Sequence, residues 1–162
     1  MNYQIKSFTM KRILFIFIFI SIQIISFGQI IHGEDGLYYS EAKTPYTGVY
    51  TEFYESGQKK TELQLLNGMK EGVSVLYFEN GEKKEERSFS KNEKDGVWVT
   101  WNERGVKVAE ARYAKGLKEG KWYIWNDAGV LLYDMTYRSG QKAGTWYNYD
   151  DAGQLVSSKK YE

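Results

Sequence analysis

The stretch KEGKWYIWNDAG, Lys118–Gly129, sets three large aromatic rings within four residues and fences them with glycines. Moved back by 24 residues it reappears as KDGVWVTWNERG, Lys94–Gly105, so the pattern is a tile before it is a site. Gly120 belongs to a column of Gly48, Gly72, Gly96 and Gly144. Gly129 belongs to a second, with Gly57, Gly81, Gly105 and Gly153. A third column runs Gly68, Asn92, Gly116, Gly140, with asparagine as the common residue that best tolerates positive φ. These columns hold 13 of the 16 glycines, so the period governs where glycine stands in this chain.

In the unit Glu119–Lys142 aromatic and β-branched residues bounded by turn residues indicate strands, and no stretch long enough for a helix escapes a glycine. The first strand is predicted over about Lys121–Trp125 and the second over about Val130–Tyr137. Between them N-D-A-G echoes N-E-R-G at Asn102–Gly105 and D-D-A-G at Asp150–Gly153. The opening Asn or Asp can bond its own backbone, and the closing glycine supplies the left-handed residue of a G1 bulge. Each repeat is therefore a β-hairpin. The glycine-containing connection Ala114–Gly120 reverses the chain again. The expected fold is all-β: an elongated, open meander of five 24-residue hairpins over residues 45–162, up to ten strands and roughly 48 Å long at about 4.8 Å per strand.

Aromatic residues fill three columns counted from the first glycine. Position two holds Tyr50, Ser74, Trp98, Trp122 and Trp146. Position five holds Phe53, Tyr77, Trp101, Trp125 and Tyr149, and position seventeen holds Leu65, Phe89, Tyr113, Tyr137 and Tyr161. Positions two and five differ by an odd number, so either the strand carries a bulge or both faces carry aromatic rows.

Residues 1–28 read as a signal peptide: Lys6, Lys11 and Arg12 precede an apolar run from Ile13 to Phe27, and Ser26 and Gly28 suit cleavage before Gln29. A run of about 15 residues falls short of the roughly 20 needed to span a bilayer, so export to the periplasm or beyond is expected. No cysteine follows it, which excludes a cysteine-linked lipid anchor. Residues 29–44 are expected to form a linker and a capping strand, Leu37–Tyr39, on the open edge; Lys159 and Lys160 charge the last strand at the other end.

Removing 1–28 takes away three basic residues and no acidic one, leaving 19 basic against 21 acidic, which gives no electrostatic case for nucleic acid. With no cysteine and the lone His32, the common zinc ligand sets and Ser/His/Asp or Cys/His catalysis are excluded. Glu62, Glu86, Glu110 and Asp134 form an acidic column whose members would stand about 9.6 Å apart, at the outer limit for paired glycosidase carboxylates. Four-fold recurrence favours an exposed row facing lysines. Lys70, Lys94, Lys118 and Lys142 form a basic column beside Glu71, Asp95 and Glu119, read as solvated turns. No catalytic residue, cofactor or metal is expected. The candidate binding surface is Trp98, Trp101, Trp122, Trp125 and Trp146, because aromatic rows can hold sugar rings, quaternary amines or a partner's side chains.

Y-T-G at Tyr46–Gly48, G-x-W-x-x-W at Gly96–Trp101 and Gly120–Trp125, and K-[E/D]-G at Lys70–Gly72, Lys94–Gly96 and Lys118–Gly120 resemble the MORN-repeat variant family of bacteria over Pro45–Glu162. The resemblance implies a β-hairpin meander, contacts with proteins or membrane surfaces, and no catalytic activity. Some relatives are described as antitoxin components; joined to an export signal, that implies an exported immunity-type protein with a protein partner. An envelope module binding glycan or lipid through its aromatic ladder is the alternative. G-K-W-Y at Gly120–Tyr123 also resembles choline-binding cell-wall repeats, but those are shorter and carry a Gly-Trp pair after the hairpin that is missing here. The regular leucine ladder of leucine-rich repeats is absent.

Overall fold

The computed structural model describes residues 30–162, so the expected signal peptide and its cleavage point lie outside the described residues. A short pair, β1 (Ile31–His32) and β2 (Tyr38–Tyr39), comes first. The repeats then supply β3 (Gly48–Phe53), β4 (Lys59–Leu66), β5 (Met69–Lys70), β6 (Gly72–Tyr77), β7 (Lys83–Ser90) and β8 (Glu93–Trp101). They continue with β9 (Lys107–Ala114), β10 (Leu117–Lys118), β11 (Gly120–Trp125), β12 (Leu131–Arg138), β13 (Gln141–Tyr149) and β14 (Leu155–Tyr161). All pairings are antiparallel, and the sheet path β3-β4-β6-β7-β8-β9-β11-β12-β13-β14 is the ten-strand meander anticipated from the five hairpins. The two-residue strands β5 and β10 pair with β4 and β9 beside that path.

Two kinds of turn alternate along the meander. Within each hairpin, Gly57, Gly81, Gly105, Gly129 and Gly153 close the loop at φ between 74° and 88°. Asn126 Oδ1 accepts the amide N–H of Ala128 and of Val130, both at 3.0 Å, and Asn102 and Asp150 repeat the arrangement. One extra residue on the second strand follows each loop, as between Leu131 and Tyr133 opposite Trp125 and Ile124.

Between hairpins the chain reverses at two residues only: Asn67-Gly68, Lys91-Asn92, Lys115-Gly116 and Ser139-Gly140, all with positive φ. Positive φ at both central residues is the type I′ hairpin, whose twist matches that of its strands. The first residue of each pair holds φ of 47–50°, a cost for Lys or Ser, and a neighbour offsets it. The Lys91 amide N–H donates to the Glu71 carboxylate at 2.8 Å, Lys115 to Asp95 at 3.1 Å, Ser139 to Glu119 at 2.7 Å and Asn67 to the Thr47 hydroxyl at 2.9 Å. The second residue of each pair donates its N–H to a carbonyl one turn back, such as Gly116 to Lys94 and Gly140 to Lys118 at 2.8 Å. Each acid of the K-[E/D]-G motif thus fixes the turn of the following reversal.

The expected cap forms differently. Tyr38–Tyr39 is a strand, but it pairs with β1 and not with the edge strand β3. The Tyr38 N–H donates to the Gly68 carbonyl at 2.9 Å, and Tyr38 packs on Leu63 and Leu65 with Ile30, Tyr46 and Tyr50 around it. Leu65 stands where later repeats carry Phe89, Tyr113, Tyr137 and Tyr161, and the lid of Tyr38 takes the apolar surface of Leu63 and Leu65 out of water.

Gly129 at φ +83° can take no β-branched residue without strain, and a Cβ there would meet Val106 Cγ1 at 3.4 Å. Gly129→Val is expected to destabilise by more than about 1 kcal/mol, read from denaturant midpoints; an unchanged midpoint would remove the left-handed turn from the explanation of the fold.

Candidate functional site

Pairing assigns the faces. Trp122 stands opposite Met135, Tyr123 opposite Asp134, and Ile124 opposite Tyr133. The pleat therefore places position two on one face and positions three and five on the other, and the Tyr123 and Trp125 rings meet at 5.5 Å. Both faces carry aromatic rows; the bulge within each hairpin lies on the second strand, and the first strand alternates regularly from position two to position five.

On the first face the rings of Phe89, Trp98, Tyr113, Trp122, Tyr137, Trp146 and Tyr161 follow one another with centroids 4.9–5.4 Å apart and planes tilted by 53–63°. Tyr113 and Trp122 meet edge to face and the other pairs are tilted, and an edge-to-face pair contributes about 0.5–1.5 kcal/mol beyond area burial. Each indole N–H is engaged within the sheet: Trp98 donates to the Ser88 carbonyl at 2.9 Å, Trp122 to Arg112 at 3.0 Å and Trp146 to Thr136 at 2.9 Å. The basic column lies over the rings. Lys94 Nζ lies 4.5 Å from the Trp98 centroid and 4.8 Å from Tyr113, Lys118 lies 4.4 Å from Trp122 and 4.6 Å from Tyr137, and Lys142 lies 4.6 Å from Trp146.

The opposite face pairs charges over rings. Lys59, Lys83 and Lys107 bind Glu62, Glu86 and Glu110 at 2.5–2.9 Å and reach over Tyr77, Trp101 and Trp125 at 5.6, 6.0 and 4.5 Å. Leu131 replaces lysine in the next repeat, and Asp134 takes Lys121 instead at 2.6 Å. The carboxylate hydrogen bond raises the pKa of Lys59, Lys83 and Lys121. Every member of the acidic column is thus paired in a structural ion pair.

The five tryptophans do not share a surface: Trp98, Trp122 and Trp146 lie on the ladder face, Trp101 and Trp125 on the other, all half-buried. Ser74, standing in the tryptophan column, interrupts the ladder; it is 1% exposed and its hydroxyl has no partner among the described residues. His32 stacks on Tyr38 at 4.6 Å as part of the cap. Among the described residues no cluster of three or more His, Asp or Glu could hold a metal ion. One groove, of about 160 Å³, lies at the end of the ladder face beside Trp146 and is lined by Tyr133, Asn148, Ser157 and Lys159, none of them singled out as a ligand-binding residue in the sequence.

Residues 46–67 and 70–91 match the family model of the MORN repeat variant. They cover the first two hairpins, and the later hairpins keep the same pairings and turns. No curated protein matches the chain.

Two expectations follow from this geometry. Trp122→Ala should cost about 3 kcal/mol, since it opens the ladder between Tyr113 and Tyr137, and Trp125→Ala should cost less; the reverse order in denaturant melts would displace the ladder as the main support. Burial raises the pKa of Tyr38 and Tyr113, and burial aided by the hydrogen bond to Glu52 pushes Tyr50 up to about 12. A raised folded pKa gives stability that is complete below the ordinary tyrosine value of 10.0 and lost as pH climbs through the folded one. Melting temperature should therefore fall between pH 10.0 and about 12, and Tyr50→Phe should blunt the fall.

Proposed function

We propose that this chain of MORN-variant repeats is an exported, non-enzymatic protein-interaction module that acts as an immunity- or antitoxin-like partner. Repeats of this family are commonly modules of protein or membrane contact without catalysis of their own. What supports the protein reading is the single-layer sheet itself: beyond the first hairpin both of its faces are open, and each shows a row of charges repeating every 24 residues. A regular, charged, two-sided ribbon suits a long complementary surface on another protein. The tryptophan rings favour this reading over an envelope glycan or lipid, because their edges meet neighbouring tyrosines and lysines already cover them.

Export is carried by residues 1–28 alone, and the immunity-like role rests on joining that signal to the family resemblance. Immobilised chain lacking residues 1–28 should retain one stoichiometric protein from the envelope fraction, and hydrogen exchange of the complex should show protection concentrated on one sheet face. Retention of no protein, with tryptophan quenching by peptidoglycan or anionic vesicles instead, would replace this reading with the glycan or lipid one.

A further inference from the structure

The ladder face ends in a groove between β12 and β14, laid across β13. Tyr133, Asn148 and Ser157 are direct cross-strand neighbours in register, so phenol, amide and hydroxyl stand side by side on one face about 4.8 Å apart. The equivalent row one repeat earlier is Ala109, Ile124, Tyr133, and two repeats earlier Glu85, Thr100, Ala109. Only the last repeat assembles three neutral polar groups there. The Tyr133 side chain is 41% exposed, and among the described residues no hydrogen bond engages its hydroxyl, the Asn148 amide or the Ser157 hydroxyl.

Charge narrows what could enter. Lys159 lines the groove with its Nζ 5.3 Å from the Tyr161 centroid, Lys142 lies 4.6 Å from Trp146 and 5.2 Å from Tyr161, and no carboxylate lines the site. Two cations already cover the two rings that could have caged a quaternary amine, so the site repels a choline-like ligand and attracts an anion. Of the other two rings in the lining, Tyr147 pairs with Tyr149 at 6.5 Å, whereas Tyr133 has no aromatic or cationic partner among the described residues and keeps a face for an apolar surface. At about 160 Å³ the groove is below the roughly 300–1,000 Å³ of sites for drug-sized ligands, and its scale is that of one ring.

We infer that this groove binds a single carboxylate-bearing sugar residue. The C–H face of the sugar lies on Tyr133, its hydroxyls bond the Asn148 amide and the Ser157 hydroxyl, and its carboxylate pairs with Lys159. The site is independent of a protein partner, since it uses the ladder face at one end only and leaves the charged rows of the other face untouched.

The test titrates glucuronic acid, glucose and inorganic phosphate separately into chain lacking residues 1–28, with ¹⁵N NMR reading the Asn148 side-chain amide and the Trp146 indole N–H. Glucuronate is expected to give saturable shifts confined to the groove, with glucose weaker by about tenfold for want of the charged bond. Asn148→Ala and Lys159→Gln should each weaken glucuronate by about tenfold while leaving the rest of the spectrum in place. Equal binding of glucose, equal shifts with phosphate, undiminished affinity in Lys159→Gln, or no saturation would each overturn the assignment. Capture of an envelope protein by Lys159→Gln at wild-type level would leave the protein-partner reading standing whichever way the titration falls.

Discussion

The contact between a first-strand tryptophan and the second-strand tyrosines on either side of it is the interaction on which this structure depends. Tyr113 touches Trp98 inside its own hairpin and Trp122 in the next at the same 5.1 Å, so the ladder joins hairpins as closely as it joins strands. A lone hairpin is marginal in water, and a single sheet has no second layer to bury against. Beyond the capped first hairpin, few side chains among the described residues are buried: Ser74, Met135 and Ala143. The rings therefore do what a core does elsewhere, and the lysines laid over them shield the ring faces while keeping their charges in water. This also explains why Trp98, Trp122 and Trp146 are poor candidates for a ligand platform: their indole N–H groups and ring edges are already used to hold the sheet.

The turns supply the second constraint. Four type I′ reversals keep the repeats in step, and each sets a residue at positive φ whose amide is held by an acid or hydroxyl of the preceding repeat. The acids next to the basic column are thereby accounted for by backbone geometry. With the opposite face's carboxylates paired to lysines, most charge on the ribbon has a local structural role. What is left for recognition is the repetitive outer surface and the groove beside Trp146, where Tyr133, Asn148 and Ser157 gather without internal partners among the described residues.

Much of this was legible in the residues. The glycine columns gave the period, and Asn102, Asn126 and Asp150 gave the hairpin loops, because both features encode local backbone needs. The dipeptide Asn67-Gly68 is itself a strong type I′ signal, but Lys91-Asn92 and Ser139-Gly140 disguise it, since their left-handed first residues depend on a carboxylate some 20 residues away. The same distance hid the function of Glu71, Asp95 and Glu119. The face of each tryptophan could not be read until pairing showed that the extra residue sits on the second strand. Leu37–Tyr39 was recognisable as a strand, yet its destination was set by Leu63 and Leu65, which needed covering. Asn148 and Ser157 are ordinary residues in sequence and acquire meaning only as register neighbours of Tyr133.

A double-mutant cycle on Tyr113 and Trp122, the pair that spans a repeat boundary, tests the ladder most directly. Tyr113→Leu, Trp122→Leu and the double variant would be compared by denaturant unfolding, leaving strand pairing in place while removing the ring-on-ring contact. A coupling of about 0.5–1.5 kcal/mol is expected for an edge-to-face pair. Strictly additive losses would contradict a sheet held together by its rings and would return the cohesion between repeats to backbone hydrogen bonds alone.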